Sequence, residues 1–167
     1  MEIRKAISSD LVEILYLLRV CVMDMNEQGM KQWNSAHPEA TMIRRNLDEG
    51  FIYLLKDRGV CKGMITLTPE VPADHAESGF SGNDRKVLYL QWMAVHPNWQ
   101  DKGIAKMLLD FAEQYARKNK FKTIQIDVFS KHDLAQQICH VNEFTEVGKF
   151  HSSFQKIPFI CYEKVVR

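Results

Sequence analysis

Val95-His96-Pro97-Asn98-Trp99-Gln100-Asp101-Lys102-Gly103-Ile104-Ala105 is the stretch whose reading decides the fold. The apolar run Val87–Val95 leads into it, and an amphipathic helix pattern leaves it. A strand, a short glycine-containing loop and a helix start together build an anion cradle. Backbone N–H groups at a helix N-terminus have no partner within the helix, and the helix dipole favours negative charge there. Gly103, with no Cβ, lets the backbone come close to a phosphate.

The loop is not G-x-x-x-x-G-K-[ST], which excludes a nucleotide P-loop, and it is not the dinucleotide fingerprint G-x-G-x-x-G. What remains is Gln100-x-x-Gly103-x-Ala105 after a strand ending in Val-x-Pro. This resembles the pyrophosphate-binding motif Gln/Arg-x-x-Gly-x-Gly/Ala of the GNAT superfamily, the acyl-CoA-dependent N-acyltransferases. Ala105 stands where many members have Gly.

The flanking pattern extends the resemblance over nearly the whole chain. Glu2–Ala6 reads as a strand. Ser8 or Ser9 can cap a helix to about Asn26, with Leu11, Leu15, Leu18, Val22 and Met25 on one buried face. After Gly29 a turn-like segment, Met30–His37, precedes a second helix from Pro38 to about Asp48. Phe51–Lys56 and Val60–Thr68 read as strands joined at Asp57-Arg58-Gly59. Pro69 to Lys86 is a polar loop. Val87–Val95 reads as a central strand, and Ile104, Met107, Leu108, Phe111, Ala112 and Tyr115 mark a helix. Lys122–Phe129 reads as a strand with Ile124, Ile126 and Val128 on one face. Ser130 and Asp133 suggest a capping box for a short helix to about Val141. Phe144–Phe150 and Pro158–Val165 read as the last two strands. The resemblance implies an α/β (α+β) GNAT fold. Its mixed, mostly antiparallel twisted sheet has about seven strands flanked by about four helices. A splay separates the fourth and fifth strands.

The chain has 167 residues, 46% hydrophobic and 26% charged, as expected of one globular domain spanning 1–167. The net charge of +1 and the lack of a basic cluster with interleaved aromatics argue against a nucleic-acid partner. Glu13, Arg19 and Asp24 interrupt the apolar residues 11–25, so no signal peptide, membrane span or membrane partner is expected. Cys21, Cys61, Cys139 and Cys161 lie far apart and form no C-x-x-C pair. Reduced thiols, no metal and a cytoplasmic location are the expectation.

The resemblance also assigns roles. The pantetheine arm of acetyl-CoA, the cosubstrate, would pair with backbone groups of Met93, Ala94 and Val95. Its diphosphate would sit on the amides of Gln100, Asp101, Lys102, Gly103, Ile104 and Ala105, with Lys102 and Lys106 screening it. Pro97, which lacks an N–H, fits a strand end. Many members carry Asn-x-x-Ala-x-x-x-Tyr-x-x-x-Gly-Phe near the C-terminus. Aligned on Ala135 and Phe144, this chain has His132 at the Asn position, Cys139 at the Tyr position and Glu143 at the Gly position. The family's Tyr often protonates the departing thiolate. Cys139 either takes that role or is a small packed residue. His132 either touches the pantetheine or is a surface histidine.

The implied reaction is direct attack of a primary amine, on a small molecule or a peptide, upon the thioester in a ternary complex. An amine of pKa about 10.4 must lose a proton, at a cost of roughly 4–5 kcal/mol at neutral pH. Asp127 and Glu70 are the carboxylates named for that proton, with Asp74 and His75 also in the loop before the central strand. A thiolate with a conjugate acid near 8.5 leaves readily, so a general acid is dispensable. A backbone N–H of Met93–Val95 would hold the oxyanion. Gln91 and Trp33 are assigned to the acceptor pocket. Trp33 is either its wall or a hydrophobic plug, and its polar neighbours Gln28–Asn34 favour the wall.

The loop Pro69–Asp84 holds Glu70, Asp74, Glu77 and Asp84 without Lys or Arg, whereas Asp101–Lys122 has six basic against three acidic residues. An acidic lip over a basic cofactor side suits a cationic amine and anionic CoA. Scattered surface charge explains the pattern equally. A non-catalytic acyl-CoA-binding regulatory domain is the alternative that the altered C-terminal signature favours. A cysteine hydrolase using Cys139 with His140 or His132 ranks below it, because adjacent helical side chains diverge. By analogy with the family, a homodimer is possible.

Overall fold

The computed structural model describes residues 1–33, 38–72, 75, 79–80, 86–153 and 155–167. Seven strands occur in the order β1-β2-β3-β4-β5-β7-β6, mostly antiparallel with one parallel pair, β4 and β5. They are β1 (Glu2–Lys5), β2 (Ile52–Asp57), β3 (Val60–Thr68), β4 (Val87–Val95), β5 (Thr123–Phe129), β6 (Thr145–Phe150) and β7 (Phe159–Val165). Among the described residues four α-helices accompany them: α1 (Leu11–Glu27), α2 (Ala40–Asp48), α3 (Ile104–Lys118) and α4 (Asp133–Val141). The chain forms two compact units, Met1–Leu67 with Trp92–Leu108, and Thr68–Gln91 with Leu109–Arg167. No helix of the described residues is long and apolar enough to cross a membrane.

In the first unit β2 and β3 form a hairpin. Its two loop residues, Arg58 (φ +50°) and Gly59 (φ +80°), both take the left-handed conformation. That is the type I′ geometry, whose twist matches the flanking strands. The start of α1 differs from expectation. Ser8 and Ser9 lie inside a 3-10 turn, Ser8–Asp10, and neither caps the helix. Asp10 stands at the N-cap position, but its side chain makes no bond to the amides of α1. Its carboxylate reaches back instead, accepting from the Ile7 N–H at 2.8 Å and from the two terminal guanidinium nitrogens of Arg4 at 2.8 Å, a charge-assisted arrangement that closes the turn in front of the helix. The buried face of α1 is Ile14, Leu17, Leu18, Cys21 and Val22, while Leu11, Leu15 and Met25 only flank the core. α2 ends in a Schellman pair, Phe51 N–H to Asn46 O (2.9 Å) and Gly50 N–H to Leu47 O (3.0 Å).

In the second unit β4 runs parallel to β5 from Val87 opposite Thr123 to Leu90 opposite Ile126, where that ladder ends. β5 pairs along its whole length with β7, which in turn carries β6. Both faces of β5 are covered: Thr123 and Gln125 are buried as well as Ile124, Ile126 and Val128. Gln125 meets this burial by donating to Glu163 on β7 at 3.0 Å. The expected capping box at Ser130 does not form. The His132 N–H returns to Phe129 O (2.9 Å), the chain turns, and His132 becomes the N-cap of α4, its Nδ1 accepting from Ala135 N–H at 3.4 Å.

Candidate active site

The end of β4 enters a 3-10 turn, Pro97–Trp99, and the chain turns twice through left-handed residues, Asp101 (φ +58°) and Gly103 (φ +75°), before α3 starts. The first bond of that helix is Met107 N–H to Gly103 O, 3.0 Å. The amides of Ile104 and Ala105 therefore face out of the first turn with no acceptor in the helix. A Cβ at residue 103 would meet nothing within 4 Å. The glycine is thus not demanded by any neighbour within the protein: its φ demands it, and the space beside it is open. Open space beside a left-handed glycine and a helix start is geometry that leaves room for an anion. Gln100 departs from the expected amide set, because its N–H bonds Pro97 O at 3.3 Å. Its side chain turns back to donate to Val95 O at 3.4 Å.

The start of α3 is set close against β3. A Cβ on Gly63 would lie 3.0 Å from Ile104 Cγ2, 3.1 Å from Ala94 O and 3.3 Å from Leu108 Cδ1. β4 itself is not the even strand that its apolar run suggests. Trp92 has φ +50°, so the strand kinks there, as at a β-bulge. Of the residues assigned to the pantetheine, Ala94 is buried, Met93 is half-buried, and the Val95 carbonyl already accepts from Cys21 Sγ at 3.3 Å.

Trp33 was expected to wall an open pocket. It is only 8% exposed and packs edge-on against Trp92, ring centroids 5.6 Å apart, within the hydrophobic core. Although its sequence neighbours are polar, the ring itself turns inward. Gln91 is half-buried in β4.

In the second unit Asp127 belongs to a trio whose members are far apart in sequence. Tyr89 donates its hydroxyl hydrogen to Asp127 Oδ1. His75 Nε2 lies 3.3 Å from the same oxygen and 3.1 Å from the Tyr89 hydroxyl. The His75 ring is buried, with Phe150 at 4.0 Å and Phe80 at 5.8 Å between centroids. Tyr89 and Gln125 are cross-strand partners, and Asp127 is two residues along β5 from Gln125, so one sheet face presents both side chains. Parallel-strand register, unreadable from the sequence alone, creates this pairing. Glu70, the other carboxylate, is exposed. Asp74, Glu77 and Asp84 of the supposed acidic lip, and Asn34, lie outside the described residues.

Cys139 is 2% exposed, and burial pushes its thiol up to about 12. Such a thiol is a weaker acid than a coenzyme thiol by about 3 pH units and cannot usefully protonate that thiolate. The same burial disfavours the thiolate that a cysteine hydrolase would need. His140 Nε2 lies 3.4 Å from the Tyr162 hydroxyl, and His132 is engaged as the cap of α4. His132 is half-buried, and burial lowers its pKa. Its Nδ1 is thus committed to the helix start. No group of three or more His, Cys, Asp or Glu among the described residues is arranged to hold a metal ion.

One feature the sequence did not suggest sits beside the cradle. Lys62 of β3 is 4% exposed. Its ammonium lies 3.6 Å from the centroid of the Trp99 ring and 2.7 Å from Asp57. Lys102 rests on the same ring at 4.5 Å and donates to Asn98 O at 3.2 Å. Lys106 is exposed on the first turn of α3.

The acetyltransferase (GNAT) family model matches residues 18–140. No curated protein matches the sequence at a significant level. Solved structures share the fold at low identity. A GNAT-family acetyltransferase of Streptococcus agalactiae 2603 superposes with TM-score 0.83 at 16% identity, covering 99% of this chain and 95% of its own. One from Listeria monocytogenes 4b F2365 gives 0.82 at 18%, covering 98% and 94%. The yncA protein of Salmonella typhimurium, solved with its cofactor acetyl-CoA, gives 0.75 at 16%, covering 100% and 94%.

Proposed function

Since the chain belongs to the GNAT acetyltransferase family, we propose that it transfers an acetyl group from acetyl-CoA to a primary amine of a small molecule or peptide, by direct attack in a ternary complex. The observation that carries this reading is the cradle: unpaired helix-start amides at Ile104 and Ala105 beside a left-handed Gly103 with open space where a Cβ would be. That chemistry suits a diphosphate. A fold relative solved with acetyl-CoA supports the choice of donor.

Acetyl-CoA supplies an activated acyl group on a good leaving thiolate. This chain's residues must place the group and accept one proton from the amine. Asp127 is the acceptor we retain, because Tyr89 and His75 fix its carboxylate in one orientation. No side chain is assigned as general acid, since the thiolate leaves unaided at neutral pH.

A regulatory acyl-CoA-binding domain is the second reading, and the burial of Cys139 at the position of the family's Tyr favours it. Incubation with acetyl-CoA and a panel of primary amines, followed by thiol release, decides between them. Turnover with any amine supports the transferase. Saturable CoA binding with no turnover across the panel supports the regulatory domain.

A further inference from the structure

A lysine almost fully removed from water needs partners for its charge. Lys62 has two, the Asp57 carboxylate and the Trp99 ring. Asp57 alone would satisfy a hairpin anchor, since it lies just before the turn that joins β2 to β3. The ring belongs to the segment that precedes the cradle. The Lys62 main chain holds the same segment, its carbonyl accepting from His96 N–H at 2.9 Å. One residue of β3 therefore fastens the loop at both ends of the turn His96–Trp99. The loop's own cation, Lys102, rests on the ring that Lys62 secures.

We propose that Lys62 is a positioning residue for the diphosphate of CoA, acting through the Trp99 ring to hold the Gln100–Ala105 cradle and Lys102 in place. This rests on the acyl-CoA reading of the cradle. Lys62 touches no reacting group. A cation over an indole is strongest when it is desolvated, as Lys62 is. The ring then has one preferred seat, and the short turn from Trp99 to Ile104 inherits it. An arginine keeps the charge and stacks on aromatic faces, so it replaces the lysine in part. A methionine keeps the stem and loses the charge.

The test is calorimetric titration of CoA into the wild type, Lys62→Met, Lys62→Arg, Trp99→Phe and Trp99→Leu. Pantetheine, which lacks the diphosphate, is titrated in parallel, and thermal unfolding checks folding. The expected result is CoA affinity about tenfold weaker, or 1.4 kcal/mol, in Lys62→Met and Trp99→Leu. Lys62→Arg and Trp99→Phe stay near wild type, and pantetheine binding is unchanged throughout. If Lys62→Met does not fold, the Trp99 pair carries the test. Wild-type CoA binding with Lys62→Met and Trp99→Leu within twofold overturns the proposal. Equal loss for CoA and pantetheine also overturns it, since that marks a merely structural lysine. No CoA binding by the wild type overturns the acyl-CoA reading itself, and this inference with it.

Discussion

Gly63 and Ile104 approach so closely that a Cβ on residue 63 would sit 3.0 Å from Ile104 Cγ2. A methyl group there would be tighter than ordinary packing against both the first turn of α3 and the Ala94 carbonyl, 3.1 Å away. Gly63→Ala therefore asks its neighbours to give by a few tenths of an ångström. We expect about 1–3 kcal/mol of destabilisation, read as a fall of several degrees in Tm, together with weaker CoA binding. An unchanged Tm would mean that the contact relaxes freely.

Gly103→Ala separates conformation from access. The left-handed φ of +75° costs an alanine about 1–2 kcal/mol. No protein atom is crowded, so stability falls by no more than that. If the diphosphate lies over Gly103 as proposed, the new Cβ meets it, and CoA affinity falls further, by about tenfold or more. Equal losses in stability and affinity would point to the loop's conformation alone.

The thiols should be silent in the native protein. All four cysteines are buried and none is joined in a disulfide. Burial raises Cys21 to about 12, Cys61 to about 11 and Cys139 to about 12. At pH 8 almost no thiolate exists at these positions. Ellman's reagent should find no fast-reacting thiol in the folded chain and four after denaturation. A fast native reaction, lost in Cys139→Ala, would restore a chemical role for that sulfur.

Acid should unfold the protein partly through Asp10. The Arg4 guanidinium and the Ile7 amide hold its carboxyl down to about 2, from 3.8. A lowered folded-state pKa contributes stability above the unfolded value and loses it as pH falls through the folded one. The window is therefore about pH 4 down to pH 2. The contribution is at most about 2 kcal/mol. Denaturant titrations of Asp10→Asn should show reduced stability at pH 6, with the gap from wild type closing by pH 2. A gap independent of pH would deny the linkage.

Asp127→Asn keeps the size of the side chain and removes its basicity. If Asp127 takes the amine proton, kcat falls about 100-fold or more while CoA affinity holds. Tyr89→Phe, which frees the carboxylate's orientation, should cost less than the loss of the carboxylate itself. Full activity in Asp127→Asn would move the proton to another group.

Local chemistry made much of the fold legible. Arg58-Gly59 sits where a two-residue turn needs two left-handed residues, and the strands on either side follow. Val87–Val95 and the helix start at Ile104 are visible because an apolar run meets Pro97 and then Gly103. The errors came where a tertiary partner intervened. Arg4 draws the Asp10 carboxylate back onto the Ile7 amide, and the side-chain cap that Ser8 and Ser9 promise does not form. The turn after Phe129 moves the α4 cap from Ser130 to His132. The kink at Trp92 hides inside a uniform apolar run, and Trp33 is buried by that same indole. The Tyr89–His75–Asp127 trio and the Lys62–Trp99 contact join residues 14 to 52 positions apart, brought together by strand register for Tyr89 and Asp127 and by loop and turn packing for His75 and Trp99.

Acetyl-CoA use of the proposed kind requires that the backbone between Trp99 and Ala105 grip a diphosphate. Calorimetric titration of the wild-type protein with CoA, with pantetheine as control, measures this most directly. One saturable site in the micromolar range, weakened at least tenfold when the diphosphate is missing, is the predicted result. No heat and no displacement of acetyl-CoA at millimolar CoA, or equal affinity for pantetheine, would contradict it.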